Sequence, residues 1–321
     1  MLTKPLDVPG FPVTLAFASS GIAYLSERIT GRLWEIDFKR IEKDPDSARL
    51  ITELPVVALI GNHESGFTGI ALDPHFDSNG LIYCYYTHRA SNGAIENRVV
   101  RIRKDGSGQE VVLDGMPGGR FHDGGVLAFG LDGTLYIGNG ECDDPELAQD
   151  VKSLGGKLLR INPDGSIPAD NPFPGSPVYA YGFRDIFGIA VHPETGKLYV
   201  NEEGPDTDDE IDIVEKGGNY GWPTVTGIAH DKRFVDPIKT YSPTITPVQG
   251  MFVGRDYYFG SYNEGTVHKL TLGGDNDDQV VSDEIIYRSG TPWSVIGVFR
   301  SPQGQFYVTT SGSIVAFTPT D

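Results

Sequence analysis

The chain has 321 residues, including 41 glycines and 22 prolines, and 11% are aromatic; that is long enough to bury a sizeable core and too densely punctuated for a helical protein. Its net charge of −18, with acidic runs such as DTDDE (206–210) and GGDNDD (273–278) scattered along the chain, speaks against a nucleic-acid partner, which needs clustered Lys and Arg. No apolar run is long enough to predict a membrane span, and the opening MLTKPLDVPGF lacks the basic segment and apolar core of a signal peptide.

Taken in chain order, six segments share one frame of apolar residues, a glycine-containing turn and a β-rich run with a tyrosine. They are LAFASSGIAYLSE (15–27), IALDPHFDSNGLIYCYYT (70–87), LAFGLDGTLYIGN (127–139), IAVHPETGKLYVNE (189–202), MFVGRDYYFGS (251–261) and VFRSPQGQFYVTT (298–310). The frame tyrosines, Tyr24, Tyr83, Tyr136, Tyr199, Tyr257 and Tyr307, recur roughly every 50 to 60 residues, close to the period of propeller blades with loop insertions. Most copies lead into a further short strand, as in GRLWEIDF, NRVVRIRKD, GKLLRINPDG and GTVHKLTLG. Alternating patterns and D-G, N-G and G-G turns mark antiparallel strands. The repeat therefore predicts an all-β, six-bladed β-propeller forming a single domain over residues 1–321, with loops lining the mouth of a central channel. Sandwich modules would instead need independent units of about 100 residues. The best helix signal is PELAQDVKSLGG (145–156), opened by Pro145 and closed by Gly155. Cys84 and Cys142 lack C-x-x-C spacing and are read as unpaired thiols.

The most distinctive stretch runs from Arg120 to Pro223. His122 in RFHDGGV lies just before the strand VLAF; Arg184 in YGFRDIFGIA and Glu64 in HESGFTGIA take the matching positions of the neighbouring repeats. In a propeller such matched positions converge on one pocket. Neutral imidazole is a common general base near neutral pH, and a nearby arginine stabilises developing negative charge. The other histidines, His63, His75, His88, His192, His230 and His268, share no such pattern and are read as structural. NEEGPDTDDE (201–210) gathers carboxylates with carbonyls in a tight turn, a donor set suited to Ca²⁺ but without EF-hand spacing.

The ordered motifs HDGG, GKLLRINPDG, DNPF, GFRD, EEGP, DDEID and NYGWP resemble the soluble quinoprotein glucose and aldose sugar dehydrogenases, also called the glucose/sorbosone dehydrogenase family. The resemblance extends from LAFASSG to the terminal GSIVAF. It implies a six-bladed propeller holding pyrroloquinoline quinone (PQQ) and Ca²⁺, and oxidation of an aldose at its anomeric carbon to the lactone. Implied partners are a sugar substrate and an external electron acceptor, with a monomer or homodimer in a periplasmic or extracellular setting. By the same resemblance His122 is the base, Arg184 binds the quinone carbonyl and Glu64 is a substrate contact. Glu203, Gly204 and Pro205 would serve the cofactor's Ca²⁺, and Asp209, Glu210 and Tyr220 part of a second Ca²⁺ site.

Three positions depart from the family pattern. Asp185 stands where the family usually has Asn beside the arginine, Asn263 replaces a cofactor-binding Lys, and Thr291, Pro292 and Trp293 replace an Arg-x-Arg pair. Buried anions need paired charge or dense hydrogen bonding, so either Arg255, Arg288 and Arg300 substitute, or Trp293 stacks on the flat quinone instead, or cofactor binding is weak or altered. Two other readings use the same scaffold without PQQ: a Ca²⁺-dependent lactonase, in which a metal polarises water attack, and a non-catalytic sugar- or protein-binding propeller.

Overall fold

The computed structural model describes residues 4–58 and 64–320; His63 lies outside the described residues. The chain is all-β, a β-propeller of radially arranged antiparallel sheets. Four four-stranded sheets follow one another in sequence, starting from Pro12–Phe17, Phe67–Leu72, Val126–Phe129 and Ile186–Val191. The six separate units predicted by the repeat differ here in one respect: the remaining strands form one eight-stranded sheet. Its halves start at Pro247–Val253 and Val295–Arg300 and are joined in the backbone ladder by the single parallel pair Gln249 and Gly297. These starting strands pack in order around a ring, and Val295–Arg300 returns against Pro12–Phe17. The N-terminal strand Leu6–Asp7 pairs antiparallel with Ser313–Phe317, so the first residues complete the last sheet.

Local chemistry explains the strands and their turns. In Asp105-Gly-Ser, Asp132-Gly-Thr and Asp164-Gly-Ser, Asp Oδ1 accepts the backbone N–H two residues on at 2.9–3.0 Å. Such Asx geometry reverses the chain tightly between strands. Because side chains alternate across a strand, LIYCYYT sends Ile82, Cys84 and Tyr86 towards the preceding sheet and Tyr83 and Tyr85 towards the following one. Burial on both faces makes these strands read as nearly continuous apolar runs. Each fully buried Leu, Ile or Val contributes roughly 1.5–3 kcal/mol relative to exposure.

All six frame tyrosines are buried, and several tie one sheet to the next. The Tyr83 hydroxyl donates to the Pro163 carbonyl at 2.9 Å, and that of Tyr199 donates to the Asp277 carbonyl. Cys84 and Cys142 are unpaired. The predicted helix over 145–156 shrinks to Glu146–Gln149, because the chain folds back onto the buried Lys157. The Lys157 ammonium donates to the carbonyls of Leu147, Ala148 and Gly155 at 2.6, 3.0 and 2.6 Å, a cage that continuous helix cannot form. Among the described residues no helix is long and apolar enough to cross a membrane.

Candidate active site

Two kinds of loop meet where the innermost strands begin. One enters each innermost strand and carries Glu64, His122, Arg184 and Asp185; the other leaves the second strand of a sheet and carries Arg28, Glu141 and Glu203. The repeat register exposed the first set in the sequence. The second set follows the same register at the strand exits, in SER, NGE and NEE; Glu203 was expected there as a calcium contact, whereas Arg28 and Glu141 carry no signal in the sequence beyond that register.

His122 has a left-handed backbone, φ +56°, uncommon for a residue with a Cβ. Both its backbone groups are held: the N–H donates to a Glu64 carboxylate oxygen, and the carbonyl accepts from Cys142 N at 3.1 Å. The Cys142 thiol donates to the same carbonyl at 3.3 Å, and burial pushes its pKa well up, which marks it as structural. Behind the loop, Tyr85 donates to the Asp123 carbonyl at 2.6 Å, and Asn97 Nδ2 reaches Asp123 Oδ1 at 3.0 Å and Asn139 Oδ1 at 3.2 Å. This buried network fixes the loop from below.

The His122 ring pairs through Nδ1 with Glu141. Glu141 is almost fully buried, at 2% side-chain exposure against 17% for His122. A carboxylate only accepts, so Nδ1 carries a proton, and in its neutral form the ring presents the Nε2 lone pair. The arrangement can take a proton at Nε2 and stabilise the resulting imidazolium through Glu141.

Arg184 Nη1 donates to the Glu203 carbonyl at 3.1 Å and to Glu203 Oε2 at 3.2 Å, and its guanidinium lies 5.7 Å from the Trp222 ring centre. Thr246 Oγ1 donates to Glu203 Oε1 at 3.0 Å, so both carboxylate oxygens are oriented. Asp185, next in the chain, is fully buried, and neither carboxylate oxygen receives a hydrogen bond from an N–H or hydroxyl group. Glu64, Asp185 and Glu203 each place a carboxylate oxygen within 4.8 Å of the others. Burial, then the charges of Glu64 and Glu203, pushes the Asp185 carboxyl well above its usual range. Burial and Glu203 likewise raise Glu64, opposed by His122 and Asp185. A hydrogen bond between the Glu64 and Asp185 carboxyls therefore requires one of them to hold a proton.

Arg28 supplies the second cation. It is buried, donates to the Ser65 carbonyl at 3.3 Å and lies 4.4 Å from the Phe11 ring centre. Burial lowers its pKa, while the Glu64 charge opposes that shift. The three arginines expected as substitute cations lie elsewhere: Arg255 pairs with Asp277, Arg288 ends the outermost strand Gln279–Arg288, and Arg300 packs on Phe306 at the far end of its strand. Asn263 and Trp293 are brought together, with Trp293 N donating to the Asn263 carbonyl at 3.3 Å. Trp293 is 63% exposed and stands at the rim.

Gly204 is buried and Pro205 exposed at the turn after Glu203. Asp209 accepts from Gly204 N at 2.8 Å, Ile245 N at 2.5 Å and Thr246 N at 2.6 Å; it braces this turn, and burial lifts its carboxyl to about 6. The expected trio Asp209, Glu210 and Tyr220 does not gather by its side chains. The Tyr220 hydroxyl donates to the Ile213 carbonyl at 2.9 Å and accepts from Glu215 N at 2.8 Å, and Glu210 groups instead with Glu202 and Asp212. The opposite mouth of the ring opens on a cavity of about 530 Å³ that contains none of these groups.

A profile of the family described as Glucose / Sorbosone dehydrogenase matches residues 10–316. Quinoprotein glucose dehydrogenase B of Acinetobacter calcoaceticus is 31% identical over a match spanning 70% of this chain and 52% of that protein. The solved structure of the PQQ-bound aldose sugar dehydrogenase of Streptomyces coelicolor is similar with a TM-score of 0.86 and 28% identity, covering 98% of this chain and 96% of that one. The apo soluble aldose sugar dehydrogenase of Escherichia coli gives 0.84 and 26%, with 99% of each chain covered.

Proposed function

We propose, starting from the fact that this chain belongs to the glucose/sorbosone dehydrogenase family of oxidoreductases, that it oxidises an aldose at the anomeric carbon to the lactone, using PQQ and Ca²⁺. The observation that carries this reading is the His122–Glu141 pair, set in one pocket with Arg184. The substrate is a sugar and the final electron acceptor external, in a periplasmic or extracellular setting by analogy with the family. Six blades belong to the same reading. The eight-stranded sheet divides at the single Gln249–Gly297 pair, and a buried cluster including Val248, Val267, Val298 and Val308 fills the space between its halves, as other clusters do between neighbouring sheets.

The residues fit the cofactor on a stated condition. PQQ carries three carboxylates, and the pocket opposes two guanidiniums, Arg28 and Arg184, to three carboxylates, Glu64, Asp185 and Glu203. With all ionised the lining is net negative and repels a trianion; a divalent cation reverses that sign. The oxygen donors at Glu203, Gly204 and Pro205 suit Ca²⁺. Arg184 would hold the quinone carbonyl, with Asn263 and Trp293 at the rim.

PQQ, when bound, supplies the two-electron acceptor for hydride. This chain's own groups do the rest. His122 Nε2 takes the proton of the anomeric hydroxyl, and Glu141 holds the ring by Nδ1 and stabilises its positive charge. Glu64 orders the His122 backbone and would be a contact for the sugar. Titration of the protein with PQQ in the presence of Ca²⁺, followed by an aldose, tests the reading through the cofactor's absorbance. Saturable binding with sugar-dependent bleaching is expected; lactone hydrolysis with Ca²⁺ and no PQQ would assign the His122–Glu141 pair to water activation instead.

A further inference from the structure

We propose that the carboxylates of Glu64, Asp185 and Glu203 form a side-chain binding site for a divalent cation of calcium's size, loaded before any anionic ligand enters the pocket. This deepens the reading above and rests on it only for what the cation then serves.

The geometry comes first. Two oxygens that share one Ca²⁺ at 2.3–2.6 Å stand at most about 5 Å apart, and one oxygen from each of the three residues lies within 4.8 Å of the others. The three reach this point from separate loops, entering two innermost strands and leaving a second strand, so the convergence is tertiary.

Asp185 supplies the independent sign of a ligand. Its side chain is fully buried, neither of its oxygens receives an N–H or hydroxyl donor, and one of them faces Glu64 and Glu203. A buried carboxylate without donors is strongly unfavourable unless a proton or a cation compensates it. The Gly140 backbone lies close beside it: a Cβ there would stand 2.6 Å from Asp185 Oδ1. Glu203 is already aimed by Thr246 and Arg184, and Glu64 by the His122 N–H. With Arg184 alone beside the triad, a divalent cation brings the local charge to zero; counting Arg28 as well, the pocket becomes positive and open to an anion.

The deciding experiment is calorimetric titration of the protein with CaCl₂ in the absence of PQQ and sugar, on wild type and on Asp185→Asn, Glu203→Gln and Glu210→Gln. Saturable Ca²⁺ binding is expected, weakened at least tenfold by Asp185→Asn and Glu203→Gln and kept by Glu210→Gln, which disturbs only the separate Glu202–Glu210–Asp212 group. Thermal unfolding without calcium checks the fold: near-isosteric Asp185→Asn should melt at or above wild type and lose the calcium-induced rise. Should that variant not fold, Glu64→Gln takes its place, since Glu64 belongs to the triad and not to the Glu203–Gly204–Pro205 turn; calcium binding unchanged there overturns the site. No Ca²⁺ binding by wild type, or binding unchanged in Glu203→Gln, overturns the site. Cation binding of the expected pattern without aldose oxidation would leave the site standing and sink the dehydrogenase reading; oxidation with unchanged cation binding in the variants would do the reverse.

Discussion

Gly140 and His122 approach so closely that a Cβ on the glycine would overlap the His122 carbonyl oxygen. The same carbonyl accepts hydrogen bonds from the Cys142 N–H and thiol, so it has no room to retreat. Gly140→Ala therefore displaces the His122 loop. A loss of about 2 kcal/mol or more in stability and a fall in kcat beyond the fall in folded fraction are expected from denaturant unfolding and steady-state rates. An alanine variant with wild-type kcat would show that the loop position is not critical.

Glu141 acts through His122 and is a positioning residue. Glu141→Gln keeps an acceptor for Nδ1–H but removes the charge that stabilises the imidazolium. A drop in kcat on the order of 10²-fold is expected, with KM little changed. Glu141→Asp, which keeps the charge, should recover part of the rate. An aspartate variant no faster than the glutamine variant would indicate a merely structural role.

Asp123 predicts the sign of one contribution to pH-dependent stability. Burial pushes its carboxyl from 3.8 up to about 7, against the pull of the Gly119 and Asn97 donors. The folded state thus holds this proton longer than the unfolded chain. Its contribution is fully present below about pH 4 and is lost as pH rises towards 7, by roughly 1.4 kcal/mol for each unit between the two values. Asp123→Asn should reduce the slope of unfolding free energy against pH across this window. An unaltered slope would mean that Asp123 does not titrate there.

The tyrosine stitches between sheets are separable from chemistry. Tyr83→Phe loses the hydrogen bond to Pro163, whose carbonyl keeps a second donor in Arg101 Nη1 at 3.1 Å. The cost should be about 1 kcal/mol, whereas Tyr83→Ala should cost roughly 3–5 kcal/mol by opening a cavity. Both variants, where folded, should retain the wild-type KM. A change in KM with the phenylalanine would couple this outer contact to the pocket.

Much of the fold was legible because its signals are local. The turns at Asp132-Gly and Asp164-Gly and the tyrosine frame depend on residues a few positions apart. The helix over 145–156 failed for the opposite reason: Lys157 draws the carbonyls of Leu147, Ala148 and Gly155 around its ammonium, and helical propensity cannot foresee that competition. The eight-stranded sheet was equally hidden, since a single backbone pair between Gln249 and Gly297 leaves no mark in the pattern.

The candidate site divides in the same way. Matching the loops that enter the innermost strands was enough to single out Glu64, His122 and Arg184, because the repeat period carries each to the same height in its sheet. The sequence by itself thus determined the strand alternation, the turns, the family and which loops face the ring. Only the tertiary structure decided that Glu141 grips His122, that Arg28 is the second buried cation while Arg255, Arg288 and Arg300 lie elsewhere, and that Asp185 meets Glu64 and Glu203. The physical reason is ring closure: the angle between neighbouring sheets and the direction of each side chain set these distances, and neither is written in the spacing of residues along the chain.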